Sequence, residues 1–352
     1  MSKPLAHSPA CATRRTSHFI RLDAERIAST NGKTARAPDL ARCYAQLLRI
    51  RCVEEEIIRL YPTDKIKSPV HLSIGQEAVS VAICDQLKRE DVLFATYRGH
   101  AAYLAKGGDL KRMCAELYGK AEGCGRGKAG SMHLVDPAVN MMGTSAIVAS
   151  GIPDAVGYAL AIKMREEEDR IVVCFFGEGA TDEGVTHESV NFAALHDLPI
   201  MFVCENNEYA IYSHVSARMA GNGLCERYRT YGIRCERENS GDFLKMYELA
   251  GRAIDHVRNG MGPVFVEMKT ARWRDHVGPG EDRHYGYRCD DALNEAIADD
   301  QLAAVGAMLE EETRNEIAGR IESEIAEAIA FAEASPFPGD EEVFDHVFTA
   351  SE

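Results

Sequence analysis

Three apolar runs constrain the architecture of this 352-residue chain more than any other feature. Residues 171–176, 199–204 and 264–268 are apolar at nearly every position, with intervening stretches such as 183–196 that read as helices. A strand that is apolar at successive positions is covered on both faces, and strands alternating with helices build a parallel sheet. The expected fold class is therefore α/β, a parallel sheet flanked by helices. The first run ends in Gly177-Glu178-Gly179 and the second in Asn206-Asn207, so that Asn207 follows Glu178 by 29 positions. Open parallel sheets bind ligands beyond the carboxyl ends of their strands. A carboxylate and an amide oxygen at two such ends are the donors a hard cation needs while it also holds phosphate oxygens. Each motif alone fits a plain turn. Their joint occurrence is what points to a site.

The other segments fill in around this sheet. Apolar residues near helical spacing predict an amphipathic helix over 39–60, and 75–87 reads as a second helix. Residues 91–94 form a short strand candidate leading into Thr96-Tyr97-Arg98-Gly99-His100. The glycine-rich stretch 119–131 reads as a polar loop, and 151–163 as a small-residue helix able to pack closely on a sheet. Residues 292–334 read as helices, stopped by Pro336 and Pro338. The expected organisation is a variable or disordered tail over 1–38, an α/β domain over 39–290, and a helical extension over 291–352 packed on that domain.

Composition excludes several function classes. A net charge of −15 disfavours nucleic-acid binding, which needs a basic face. It leaves room for a phosphorylated small ligand held by backbone amides and a metal ion. The eleven cysteines form no CxxC pair, and two of them, Cys174 and Cys204, sit inside apolar runs. Reduced, buried thiols fit this pattern better than a zinc ribbon or a disulfide framework. No apolar run approaches the roughly 18 residues of a membrane helix. The first 36 residues contain Arg14-Arg15 but no apolar signal core, and Asp23 and Glu25 weaken a transit-peptide reading. A cytoplasmic location follows, with the mitochondrial matrix as the alternative.

A family resemblance emerges from the motifs together. GEGATDEG (177–184) followed by ENNEYAI (205–211) resembles the thiamine-diphosphate motif of the alpha subunits of 2-oxo acid dehydrogenases, a group that includes the pyruvate, acetoin and branched-chain enzymes. HLSIGQEA (71–78), TYRGH (96–100), GRGKAGSMH (125–133), SAIVASGIP (145–153), GPVFVEMKTARW (262–273) and AFAEASPFPGDEEVF (330–344) match in the same order, from about residue 40 onward. The resemblance implies a thiamine-diphosphate-binding fold. It also implies that Glu178, Asn207 and the carbonyl of Tyr209 hold Mg2+ against the diphosphate. Gly177, Gly179 and Ala180 would line that diphosphate, with Tyr97 and Arg98 reaching it from another loop. Ala146 and Val148 would meet the aminopyrimidine, with Ile147 as a wedge; by itself Ile147 reads equally as core. His276, in a polar Gly/Pro segment, would stand beside the substrate carboxylate, and His133 and His71 match further active-site histidines. The implied partners are a beta subunit supplying the glutamate that activates the aminopyrimidine, in an α2β2 assembly, and a lipoyl acyltransferase that takes the acyl unit.

Two departures stand out. Many relatives have Asp where this chain has Glu178, although the branched-chain members share Gly-Glu-Gly. Relatives commonly carry Ser directly after the loop histidine, and some are switched off by its phosphorylation; here that position is Val277, and 278–284 also differs. The altered loop motivates one alternative, a thiamine-dependent decarboxylase or carboligase without a lipoyl acceptor. Glu178 motivates another, a non-catalytic regulatory paralogue. A nicotinamide-binding protein is disfavoured because GEGATDEG lacks the third glycine of GxGxxG.

Overall fold

The computed structural model of this protein describes residues 37–345 apart from Glu168 and Asn222. The tail expected at the N-terminus, up to residue 36, lies outside the described residues. The strands are β1 (Val92–Thr96), β2 (Met141–Ser145), β3 (Val172–Gly177), β4 (Ile200–Asn206), β5 (Tyr209–Ala210), β6 (Ser213–His214), β7 (Arg234–Glu238) and β8 (Val264–Lys269). Six of them form one parallel sheet in the order β2-β1-β3-β4-β8-β7, and β5 and β6 make a small antiparallel hairpin beyond β4.

Side chains alternate across a strand, and here both faces are buried. Leu93, Val173, Phe175, Met201, Val203, Val264 and Val266 belong to one core cluster. Val92, Phe94, Val172, Cys174, Phe176, Ile200, Phe202 and Phe265 belong to the other. Helices α1 (Leu40–Leu60), α2 (Glu77–Cys84), α3 (His100–Ala105), α4 (Leu110–Leu117) and α8 (Phe243–Arg258) contribute to the first cluster. Helices α5 (Gly151–Met164), α6 (Gly184–Leu195) and α7 (Leu224–Arg229) contribute to the second. The last three helices are α9 (Asp290–Ala298), α10 (Gln301–Gly306) and α11 (Glu311–Ala334). Helix α11 runs against α4 and α1, where Arg49 pairs with Glu324 at 2.7 Å.

Several expected boundaries hold for visible reasons. Asp39 caps α1 by accepting from the Arg42 amide at 3.1 Å. Helix α2 is shorter than the periodicity suggested, because Gly75 takes φ +90° just before it. Two strands of the sheet, β2 and β7, were not anticipated. β7 reads Arg-Cys-Glu-Arg-Glu; it is an edge strand whose charges are paired, Arg237 with Glu267 at 2.7 Å and Glu236 with Arg252 at 3.0 Å. The 119–131 stretch is a loop, folded round one buried carboxylate. Glu116 accepts from the amides of Gly125, Gly127, Ala129 and Gly130 at 2.7–2.9 Å. The described cysteines are all free thiols, most of them buried. No described helix is long and apolar enough to cross a membrane.

Candidate cofactor and substrate site

The chain leaves β1 to form β2 on one side of it, then crosses over to form β3 on the other. Between the carboxyl ends of β1 and β3 the order reverses, which is where open sheets leave a crevice. A cavity of about 290 Å³ opens there. Tyr97 and Arg98 enter it from the end of β1, Ile147 and Val148 from the turn after β2, and Gly177, Glu178, Gly179 and Ala180 from the end of β3. Asn207 and Tyr209 come from the end of β4, and His276 from the segment after β8.

The registers explain the closest of these approaches. Gly177 pairs with Glu205, so Glu178 and Asn207 leave the sheet from adjacent strand ends. A Cβ at Gly177 would meet nothing within 4 Å, which leaves its backbone open to a ligand. A Cβ at Gly179 would lie 2.8 Å from that of Ala210, so glycine is what lets the β3 turn pass the β5–β6 hairpin. The Glu178 side chain is only 1% exposed and accepts from Arg218 Nη2 at 2.5 Å. Burial raises its pKa to about 7, against the opposing effect of Arg218. Asn207 Oδ1 accepts from the Tyr209 amide at 3.1 Å, and Asn207 Nδ2 donates to Gln76 Oε1 at 2.8 Å.

Among the described residues no cluster of three His, Cys, Asp or Glu side chains could hold a metal ion by itself. One buried carboxylate, one side-chain amide oxygen and nearby carbonyls are an incomplete set of hard oxygen donors. Such a set fits Mg2+, which keeps waters and phosphate oxygens in its shell, and does not fit a closed zinc site.

Arg98 anchors the opposite wall. Nη1 donates to the Leu72 carbonyl at 2.7 Å, and Nη2 donates to the His276 carbonyl at 3.1 Å while lying 3.4 Å from His276 Nδ1. Arg272 Nη1 lies 3.4 Å from the same ring nitrogen. With guanidinium donors around Nδ1, that atom is the acceptor and the ring proton is assigned to Nε2. Burial first, then Arg98 and Arg272, pushes the His276 pKa down to about 3. His71 stands beside it, with ring centroids 5.3 Å apart. Burial and Arg98 lower the His71 pKa to about 3, and its buried Nδ1 has no hydrogen-bond partner. Both imidazoles are therefore neutral near pH 7.

The structure does not gather every residue singled out by the sequence. Ile147 is 71% exposed and Val148 45%, so the reading of Ile147 as core fails. β2 ends at Ser145, and the turn after it carries these side chains out over the cavity rim. Ala146 lies in that turn without lining the cavity, and His133 is exposed outside it. Sequence reasoning also missed residues. Arg218 carries no local motif that marks it as a partner of Glu178, and Gln76, within HLSIGQEA, was given no role beside Asn207. Arg272 lies within a motif but was assigned no role. It joins Asp282, Arg288 and Tyr287 in a buried network, with Arg288 Nη2 2.5 Å and Arg272 Nη2 3.2 Å from the Asp282 carboxylate. That network pins the 276–288 segment, and Tyr212 adds a hydrogen bond to Asp275 at 3.0 Å.

Comparison with known proteins identifies the family. The model of the dehydrogenase E1 component family matches residues 45–341. The chain is 35% identical over 313 residues to the alpha subunit of acetoin:2,6-dichlorophenolindophenol oxidoreductase from Bacillus subtilis, covering 88% of this chain and 93% of that protein. It is 35% identical over 314 residues to the chloroplastic pyruvate dehydrogenase E1 component subunit alpha-3 of Arabidopsis thaliana, covering 87% and 73%. It is 32% identical over 313 residues to the pyruvate dehydrogenase E1 component subunit alpha of Rickettsia bellii, covering 87% and 95%. The chain thus belongs to the dehydrogenase E1 component family: it is an oxidoreductase subunit, and thiamine diphosphate is the cofactor that the family implies.

Proposed function

We propose that this chain is the alpha subunit of a 2-oxo acid or acetoin dehydrogenase that uses Mg2+ and thiamine diphosphate. The observation that carries this reading is the placement of Glu178 and Asn207 on adjacent strand ends, in a cavity whose other walls are Arg98 and His276. In this reading Glu178, Asn207 and the Tyr209 carbonyl hold Mg2+. Gly177, Gly179 and Ala180 lie along the diphosphate, and Tyr97 and Arg98 close on it from β1. Val148 would meet the aminopyrimidine with Ile147 as the wedge, both lining the cavity, while the same contact for Ala146 rests on its motif.

When bound, thiamine diphosphate supplies the electron sink that lets a 2-oxo carbon lose carbon dioxide. The protein's part is to orient and to handle charge. Arg98 and Arg272 hold His276 as the Nε2–H tautomer, so it donates a hydrogen bond toward substrate without carrying charge itself. His71 packs behind His276 outside the cavity lining, and its buried Nδ1 is unpartnered, so its role rests on its motif and on that ring contact. His133 rests on its motif alone.

The exposed Ile147 and Val148 support a site shared with a second chain, since an apolar rim of this kind is covered in the working assembly. We assign that place to a beta subunit in an α2β2 complex, with a lipoyl acyltransferase as acceptor. Titration calorimetry tests the core of the proposal. Glu178→Ala should abolish Mg2+-dependent binding of thiamine diphosphate, and unchanged binding refutes the ligand assignment. Carbon dioxide release with and without a lipoylated partner tests the acceptor.

A further inference from the structure

The buried Glu178 carboxylate has a cation on it that none of its motifs announces. Arg218 donates through Nη2 to Glu178 Oε1 at 2.5 Å, through Nη1 to Asp182, and through Nε to the Ser213 carbonyl at 3.2 Å. All three guanidinium nitrogens are therefore engaged, and the side chain is 15% exposed. Arg218 follows the β5–β6 hairpin, whose first residue is Tyr209, so its segment is tethered to the proposed metal ligands.

A carboxylate this deep needs a counter-charge. Guanidinium is a strong partner for it, because its charged hydrogen bonds are directional and forked. Mg2+ demands ligand oxygens at about 2.0–2.1 Å in near-octahedral array. A guanidinium N–H at 2.5 Å already occupies a lone pair of Oε1, and two cations crowded on one buried carboxylate repel in low dielectric.

We propose that Arg218 is an exchangeable counter-ion of the metal-binding carboxylate: its guanidinium and a divalent cation are alternative partners of Glu178, and metal loading drives Arg218 off it. This rests on the reading of Glu178 as a metal ligand. Arg218 then sets how much Mg2+ the site requires, holding the carboxylate in place for the metal while competing with it. Asp182 is the anchor that keeps the guanidinium on Glu178.

The test is titration calorimetry of the full-length chain, in the complex it purifies with, using Mg2+ and thiamine diphosphate. Mn2+ as an electron-paramagnetic probe gives an independent reading of free metal. Arg218→Gln should bind the metal–cofactor pair about 10-fold more tightly than wild type, and its thermal midpoint without metal should fall. Arg218→Lys should lie between the two. Asp182→Asn loosens the same anchor and should tighten metal binding by a smaller factor, which keeps the idea testable if Arg218→Gln folds poorly. Equal or weaker metal binding in Arg218→Gln, or in Asp182→Asn where the former does not fold, overturns the proposal. Wild-type protein that binds neither Mg2+ nor thiamine diphosphate would instead overturn the functional reading beneath it.

Discussion

Asp282 accepts from Arg272 Nη2 at 3.2 Å with both side chains shut off from solvent, and through that contact it holds the group that faces His276 Nδ1. Removing one partner of a buried charge pair costs about 3–5 kcal/mol, because the other is left uncompensated. Asp282→Asn should therefore loosen the 276–288 segment while leaving the sheet intact. The expected signs are an early tryptic cut in that segment and a raised KM, with the far-ultraviolet spectrum unchanged.

The two neutral histidines give stability a sign against pH. His71 is held near 3 when folded, against about 6.5 in an unfolded chain. Above pH 6.5 neither state carries the proton and the contribution is complete. As pH falls from 6.5 toward 3, the unfolded chain protonates first and stability is lost. His276, also lowered to about 3, acts in the same direction. Glu178 and Glu205, both raised to about 7 by burial, act in the opposite direction, gaining stability as pH falls toward 4.5. Comparison with His71→Asn isolates the histidine. Between pH 6.5 and 4 the variant should lose less of its urea midpoint than wild type, and parallel curves would refute this.

Gly179→Ala places a methyl 2.8 Å from the Ala210 Cβ, at the seam between the β3 turn and the β5–β6 hairpin. Overpacking of this kind costs about 1–3 kcal/mol. Because Tyr209 lies in that hairpin, the larger effect should fall on cofactor affinity. A modest drop in thermal midpoint with a weakening of thiamine diphosphate binding of about tenfold or more is expected by calorimetry.

Glu116 organises the glycine-rich loop by accepting four backbone amides. Hydrogen bonds to a charged group contribute about 1.5–3 kcal/mol each. Glu116→Ala removes them together and should open the 119–131 loop to protease. Global unfolding measured by calorimetry should shift to lower temperature, and Glu116→Gln, which keeps two acceptor lone pairs, should recover part of the loss.

The central sheet was legible in the sequence because β3, β4 and β8 are apolar on both faces, and such runs have few alternative folds. The ends of β3 and β4 were legible too, because Gly and Asn interrupt those runs abruptly. Edge strands were not. β7 carries Arg234, Glu236 and Arg237 in a charge pattern that is satisfied within the strand and against α7, α8 and β8. β2 is short and contains Gly143, and it forms because β1 offers it a parallel edge. In the site, motif residues on the strand ends lie where their spacing suggested. Arg218 reaches Glu178 across 40 residues, and Asp282 pairs with Arg272 and Arg288 at spacings of 10 and 6 that match no neighbour spacing of a helix or strand, so neither leaves a local trace. Ile147 reads as core by composition, yet its turn projects it outward.

The position of β8 has a consequence for synthesis. It fits between β4 and β7 although it follows both in the chain. As the polypeptide emerges from the ribosome, β4 and β7 each wait with an unpaired edge until residue 269 is out. The open edge of apolar β4 invites pairing with other chains. A ribosome stalled before β8 would thus release a fragment that holds both halves of the proposed metal clamp but aggregates before it can use them.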